Sequence, residues 1–163
     1  MQIRKAALED FQIINNLAIN TWHDAYDKIL SPEQVNYMLD MMYSLEAITE
    51  QITVKGHHFL LISEGDNYLG FGSYELNYFS GVTKLHKLYV LPDAQGKGAG
   101  RLLIQKIEEA AAKNGNDKVS LNVNRYNSAV DFYVKNGYTK AGEEDINIGN
   151  GYLMEDYIME KAL

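Results

Sequence analysis

The residues with the clearest chemical potential are Gln95-Gly96-Lys97-Gly98-Ala99-Gly100-Arg101. They follow Leu88-Tyr89-Val90-Leu91-Pro92, which reads as the end of a strand. They precede a helical pattern carried by Leu103, Ile107, Ala110 and Ala111 and ended by Asn114-Gly115. A glycine-dense turn between a strand and a helix suits an anion for three physical reasons. Glycine lets the backbone approach closely, several N–H groups point inward together, and the helix start adds partial positive charge. Lys97 and Arg101 would add counter-charge nearby. Two known phosphate loops do not fit. A Walker A loop needs Gly-Lys followed by Ser or Thr, whereas Gly98 follows Lys97. A dinucleotide loop begun on Gly96 and Gly98 would place its third glycine or alanine where Arg101 stands.

A second segment, Asn127-Ser128-Ala129-Val130-Asp131-Phe132-Tyr133, runs on to Asn136-Gly137-Tyr138. Asn127 can cap a short helix, Ala129, Phe132 and Tyr133 share a face at i, i+3 and i+4, and Gly137 permits a left-handed exit. The spacing Gln95-x-x-Gly98-x-Gly100, the strand Leu88–Pro92 and the Asn127–Tyr138 segment together resemble the GCN5-related N-acetyltransferases. These motifs cover about Leu88–Tyr138, and the order of elements extends the resemblance over the whole chain.

The resemblance implies an α/β fold, GNAT-like, with a mixed central sheet of about seven strands flanked by helices, in a single domain spanning residues 1–163. It implies acetyl-CoA as co-substrate, no metal, and direct attack of an amine on the thioester without an acyl-enzyme. Cofactor-binding residues carried over are Leu88, Tyr89, Val90, Gln95, Gly96, Lys97, Gly98, Ala99, Gly100, Arg101 and Asn127. Tyr133 matches the family's general acid, which returns a proton to the departing thiolate, and the Val90 N–H matches its oxyanion donor. The base stays open. His86, expected by two-residue alternation on the same strand face as Leu88 and Val90, and Glu75 on the preceding strand are rivals, with water as an intermediary. His23, His57 and His58 show no metal-ligand spacing and are read as structural.

On the acceptor side, Thr21–Tyr26, Ile29–Gln34 and Tyr37–Leu39 look similar to the polyamine-acetylating PaiA-like branch. Trp22, Tyr26 and Tyr37 would then wall an alkylamine, with Asp24, Asp27, Glu33 and Glu75 as counter-charges. Each of those aromatics also has an ordinary reading as helix core or rim. A small amine or polyamine leads as acceptor. A protein N-terminus or lysine is the alternative, as is a non-catalytic acetyl-CoA-binding regulatory module on the same fold.

These residues need elements to hold them. Gln2–Lys5 reads as a strand, and Phe11, Ile14, Ala18 and Trp22 give helical spacing over Leu8–Ala25. Ser31-Pro32-Glu33-Gln34 is a helix start in which Ser31 caps and Gln34 closes a capping box. A further helix covers Leu45–Val54. The period then changes: His57–Ser63, Tyr68–Leu76 and Thr83–Val90 are strands, and Val119–Val123 is another. Ser128–Asn136 is the short helix. Tyr138–Ile148 and Tyr152–Lys161 form a hairpin across Gly149-Asn150-Gly151.

The totals set limits on partners. With 163 residues and 46% hydrophobic content, one domain can bury a full core. A formal charge of −7 argues against nucleic acid and suits a cationic ligand, though solubility alone would explain it. No apolar run approaches membrane-spanning length, and the N-terminus shows no signal-peptide pattern. With no cysteine, the chain fits a cytoplasmic location. An exposed edge strand would allow a homodimer.

Overall fold

The β-branched and aromatic runs on either side of the glycine turn assemble into one seven-stranded sheet, in the order β1-β2-β3-β4-β5-β7-β6. The computed structural model describes residues 1–163. Its strands are β1 (Gln2–Lys5), β2 (His58–Glu64), β3 (Asn67–Phe79), β4 (Val82–Val90), β5 (Lys118–Asn124), β6 (Thr139–Gly149) and β7 (Tyr152–Ala162). Its helices are α1 (Phe11–Tyr26), α2 (Pro32–Tyr43), α3 (Leu45–Thr53), α4 (Ala99–Lys113) and α5 (Ala129–Lys135). Every neighbouring pair is antiparallel except β4 and β5. That one parallel pair is joined through α4, as a parallel connection requires. No helix is long and apolar enough to cross a membrane.

Local chemistry explains the boundaries. Leu8–Asp10 forms a short 3-10 turn rather than the first turn of α1, so the expected Leu8–Ala25 helix begins later. Asp10 is held there by Arg4, which reaches it from β1 at 2.7 and 2.8 Å. The Ser31 hydroxyl accepts the Gln34 N–H at 3.2 Å and Pro32 opens α2. The reciprocal half of the expected capping box does not form. Gln34 instead sends its side-chain amide across to the Leu153 carbonyl of β7, at 2.9 Å. Ser44 ends α2 and caps α3 through the Ala47 N–H. The β6–β7 turn places Gly149, Asn150 and Gly151 all at positive φ, the conformation those residue types suit.

Each sheet face buries its own core. On one side α1, α2 and α3 pack Ile14, Trp22, Val35, Tyr43 and Ile48 against Phe59, Leu61 and Phe71. On the other, α4 and α5 bring Leu103, Ile104, Ile107 and Tyr133 onto Leu60, Ile62, Leu85, Val119 and Leu121. Alternation along β2 divides Phe59 and Leu61 from Leu60 and Ile62 between these layers, as the strand period demands. Helices thus cover both faces of the sheet, and its one parallel seam lies between β4 and β5.

Candidate active site

Strands β4 and β5 are paired only from Val82↔Lys118 to Leu85↔Leu121. Beyond that point β5 continues against β7, while β4 continues against β3 alone. A wedge therefore opens in the middle of the sheet. The Leu91 N–H bonds to Leu69 O on the β3 side at 2.8 Å. By two-residue alternation the N–H groups of Val90 and Leu88 point the other way, into the wedge. Close approach of β3 fixes this geometry: a Cβ on Gly70 would lie 2.4 Å from the Tyr89 carbonyl oxygen.

The glycine turn closes one end of the wedge. Gly96 and Gly98 adopt φ of +74° and +88°, and a Cβ at either would meet nothing within 4 Å. Their positive φ, not crowding, is what selects glycine. Gly98 is the N-cap of α4 and offers no side chain to cap it, so the first helical N–H groups are left for a ligand. Gly100 is required for a different reason. A Cβ there would stand 3.3 Å from the Phe132 ring, so this glycine lets α5 pack against the start of α4. The Gln95 amide donates to the Val90 carbonyl at 3.2 Å and ties the turn to the strand end.

These parts enclose a cleft of about 520 Å³. Leu88, Tyr89, Val90, Gln95, Gly96, Gly98, Ala99, Gly100, Arg101, Asn127 and Tyr133 all line it, so nearly every sequence-assigned residue is brought together. Lys97 is the exception: it is exposed on the turn and is not part of the lining. Thr21 and Ser128, which the sequence placed in motifs without a role of their own, also line the cleft, as does Lys135, which sequence reasoning missed. Lys135 sits in the last turn of α5 and adds a second cation to that of Arg101.

The N-cap of α5 is Ser128, and Asn127, one residue before it, accepts the Ala129 N–H at 2.8 Å and braces the turn into the helix. Gly137, at φ +90°, ends it. Between them Tyr133 is buried, and desolvation pushes its phenol up from the ordinary value, so it is protonated at neutral pH. A narrow branch of about 40 Å³ leads past Tyr133, bounded by Tyr26, Leu88, Tyr89, Asn122 and His86. Burial also raises Tyr26 and Tyr89, whose hydroxyls lie 3.4 Å apart.

The expected aromatic wall divides. Trp22 is 1% exposed, stacks on Tyr26 at 4.4 Å and donates to the Tyr43 hydroxyl, so it is core. Tyr37 donates to the Ile148 carbonyl and packs on Tyr152, which ties α2 to the β6–β7 hairpin. Only Tyr26 reaches the branch. Of the four carboxylates, Asp24 lines the cleft, Asp27 pairs with His23 on the surface, and Glu33 is exposed. Glu75 lies on β3 beside His86.

His86 does not share a face with Leu88 and Val90. Pairing steps from Ser73↔Lys87 to Tyr74↔Leu85, which leaves His86 as the extra residue of a bulge. The bulge turns it toward the α1–α3 side, where it stacks on His57 at 3.9 Å. His57 just before β2, Glu75 on β3 and His86 on β4 thus form a cluster, with ligand atoms all within 4.8 Å of one another. Their spacing of 18 and 11 residues gave no sequence signal.

The domain family described as Acetyltransferase (GNAT) domain matches residues 26–161. The spermidine N(1)-acetyltransferase of Thermoplasma acidophilum is 29% identical over 159 residues, covering 95% of this chain and 96% of that protein. An uncharacterized N-acetyltransferase of Bacillus subtilis, YuaI, is 26% identical and covers 94% of this chain and 88% of that one. Among solved structures, the PaiA N-acetyltransferase of Thermoplasma acidophilum in complex with coenzyme A superposes with a TM-score of 0.84 at 28% identity, over 99% of this chain and 98% of that one. With the wedge between β4 and β5, the glycine turn at the head of α4 and Tyr133 of α5 gathered at one cleft, the chain belongs to the GNAT acetyltransferase family.

Proposed function

We propose that the protein moves the acetyl group of acetyl-CoA directly to the nitrogen of a small amine, with a polyamine as the leading acceptor. One observation carries the reading. The inward-facing Val90 N–H, the uncapped start of α4 and Tyr133 border the same cleft. Acetyl-CoA supplies an activated thioester carbonyl and a pyrophosphate by which it can be held. The N–H groups after Gly98, with Arg101 and Lys135, would take the pyrophosphate. The Val90 N–H would hold the carbonyl oxygen as it gains charge, a donor typically worth roughly 3–4 kcal/mol. Tyr133 would protonate the departing sulfur.

The acceptor assignment rests on coarser support. The spermidine acetyltransferase similarity spans nearly the full chain. Asp24 lines the cleft, and the −7 charge raises the local concentration of cations. Release of CoA thiol with a panel of amines tests it. We expect spermidine to be turned over with a kcat/KM at least tenfold above lysine and above peptides with free N-termini. A preference for a peptide N-terminus would replace the small-amine assignment, and no release with any amine would sink the catalytic one.

A further inference from the structure

Side chains alternate along β7, so Met154, Asp156, Ile158 and Glu160 take the face on which Met154 joins the α1–α3 core. Strand register sets Asn124 of β5 and Glu144 of β6 opposite Asp156 on that face. The neighbouring Asn122 of β5 donates its amide to Glu144 Oε2 at 3.1 Å and to Asp156 Oδ2 at 3.4 Å. Its amide oxygen accepts from the Lys84 ammonium of β4. Two carboxylates from different strands thus meet at one amide.

Asp156 is the costly member of the pair. It is 6% exposed, and its Oδ1 has no hydrogen-bond partner. A buried anion without a donor is destabilising, and an apolar residue there would simply continue the row from Met154 to Ile158. Burial raises the Asp156 carboxyl above its ordinary value and Glu144 adds to the rise, while Asn122, Lys84 and Arg125 oppose it. Both of those cations are engaged elsewhere. Lys84 donates to Asn122, and Arg125 pairs with Asp145 and Glu143. Glu160, the third acid on this face, is matched by Lys118 at 3.0 Å. Asp156 and Glu144 set against Lys84 therefore leave one negative charge over.

The pair also stands beside the proposed reaction centre. Asn122 borders the narrow branch that Tyr133 borders, and the charge of Asp156 is felt at Tyr26, which borders it too.

We propose that Asp156 and Glu144 hold a second ammonium of the acceptor, so that the preferred substrate is a diamine or polyamine rather than a monoamine. This rests on the acetyl-transfer reading above and names what its acceptor must carry. The last torsion of an aspartate is broad, so a small turn presents Oδ1 to an ammonium arriving past the exposed Glu144. The ammonium brings the donor that Oδ1 lacks and the one positive charge that the pair lacks. A monoamine leaves both unmet. Free lysine carries a carboxylate beside its second ammonium, and these two acids repel it. A metal ion is a poorer occupant, because Asn122 turns its N–H groups rather than its oxygen toward the carboxylates.

The test is a ratio of two kcat/KM values. One is for a diamine or polyamine that the wild type accepts, the other for the amine in which a methyl group replaces its far ammonium; putrescine and pentylamine are such a pair. The wild type should favour the charged member by about 10- to 100-fold. In Asp156→Asn the ratio should fall close to unity, and in Glu144→Gln, at an exposed position, it should fall about threefold. Acetyl-CoA affinity, read by calorimetry, checks that each variant is folded, and Glu144→Gln carries the test alone if Asp156→Asn is not. If Asp156 served only the fold, its loss would slow both amines alike and keep the wild-type ratio, which overturns the proposal. A wild type that takes the two amines equally, or that accepts monoamines or peptides but no diamine, overturns it as well. An active wild type whose ratio ignores both substitutions defeats this proposal alone. A wild type inactive with every amine defeats the acetyl-transfer reading too.

Discussion

At the scale of single residues the proposed chemistry rests on Tyr133 and on the backbone around Val90. Burial keeps the Tyr133 phenol protonated, as a donor to sulfur must be. Removing its hydroxyl leaves ring packing against Phe132 and Tyr138 intact. Tyr133→Phe is therefore expected to bind acetyl-CoA within about twofold of the wild type and to release thiol on the order of 100-fold more slowly. Calorimetry and a single-turnover thiol assay check the two halves, and unchanged turnover would remove Tyr133 from the mechanism. The place of Tyr133 on the cleft was legible from its motif because spacing within one helix is local. His86 was not, because a bulge is set by strand pairing, and one extra residue changes the face a side chain takes. The aromatic wall misled for a related reason: Trp22 and Tyr26 sit four apart on one helix, and periodicity cannot say which reaches the sheet and which the cleft.

Among the elements, the turn into α4 carries the proposed anion site and α5 the proposed acid. Both were read within a residue or two, since glycine at positive φ, the Asn127 brace and the Gly137 exit are all short-range chemistry. The Gln34 capping box failed because a tertiary acceptor, the Leu153 carbonyl, competed for its amide. Gly98→Ala forces an L-residue to φ +88°, at roughly 1–2 kcal/mol. If that strain is relieved by moving the turn, acetyl-CoA binding should weaken by about five- to thirtyfold. Gly115→Ala imposes similar strain at φ +77° beyond the other end of α4 and should lower stability while leaving affinity alone. Equal affinity in both variants would mean that the turn does not hold the cofactor.

For the whole molecule, the order of strands and helices was readable, and the consequence of that order was not. A single parallel pair inside an otherwise antiparallel sheet lets β4 and β5 part after Leu85, and the cleft lies between the end of β4, the glycine turn and α5. The edge strand β6 carries Lys140, Glu143, Glu144 and Asp145, charges that discourage edge-to-edge pairing. The claim on which the rest stands is that this cleft takes acetyl-CoA, and thermal unfolding tests it most directly. A ligand bound only by the folded state at 100 times its Kd adds about 2.7 kcal/mol. For a domain of this size that raises Tm by roughly 5–10 °C. Acetyl-CoA should produce that rise while ATP and NAD do not, and no rise with acetyl-CoA, or an equal rise with all three, would contradict the account.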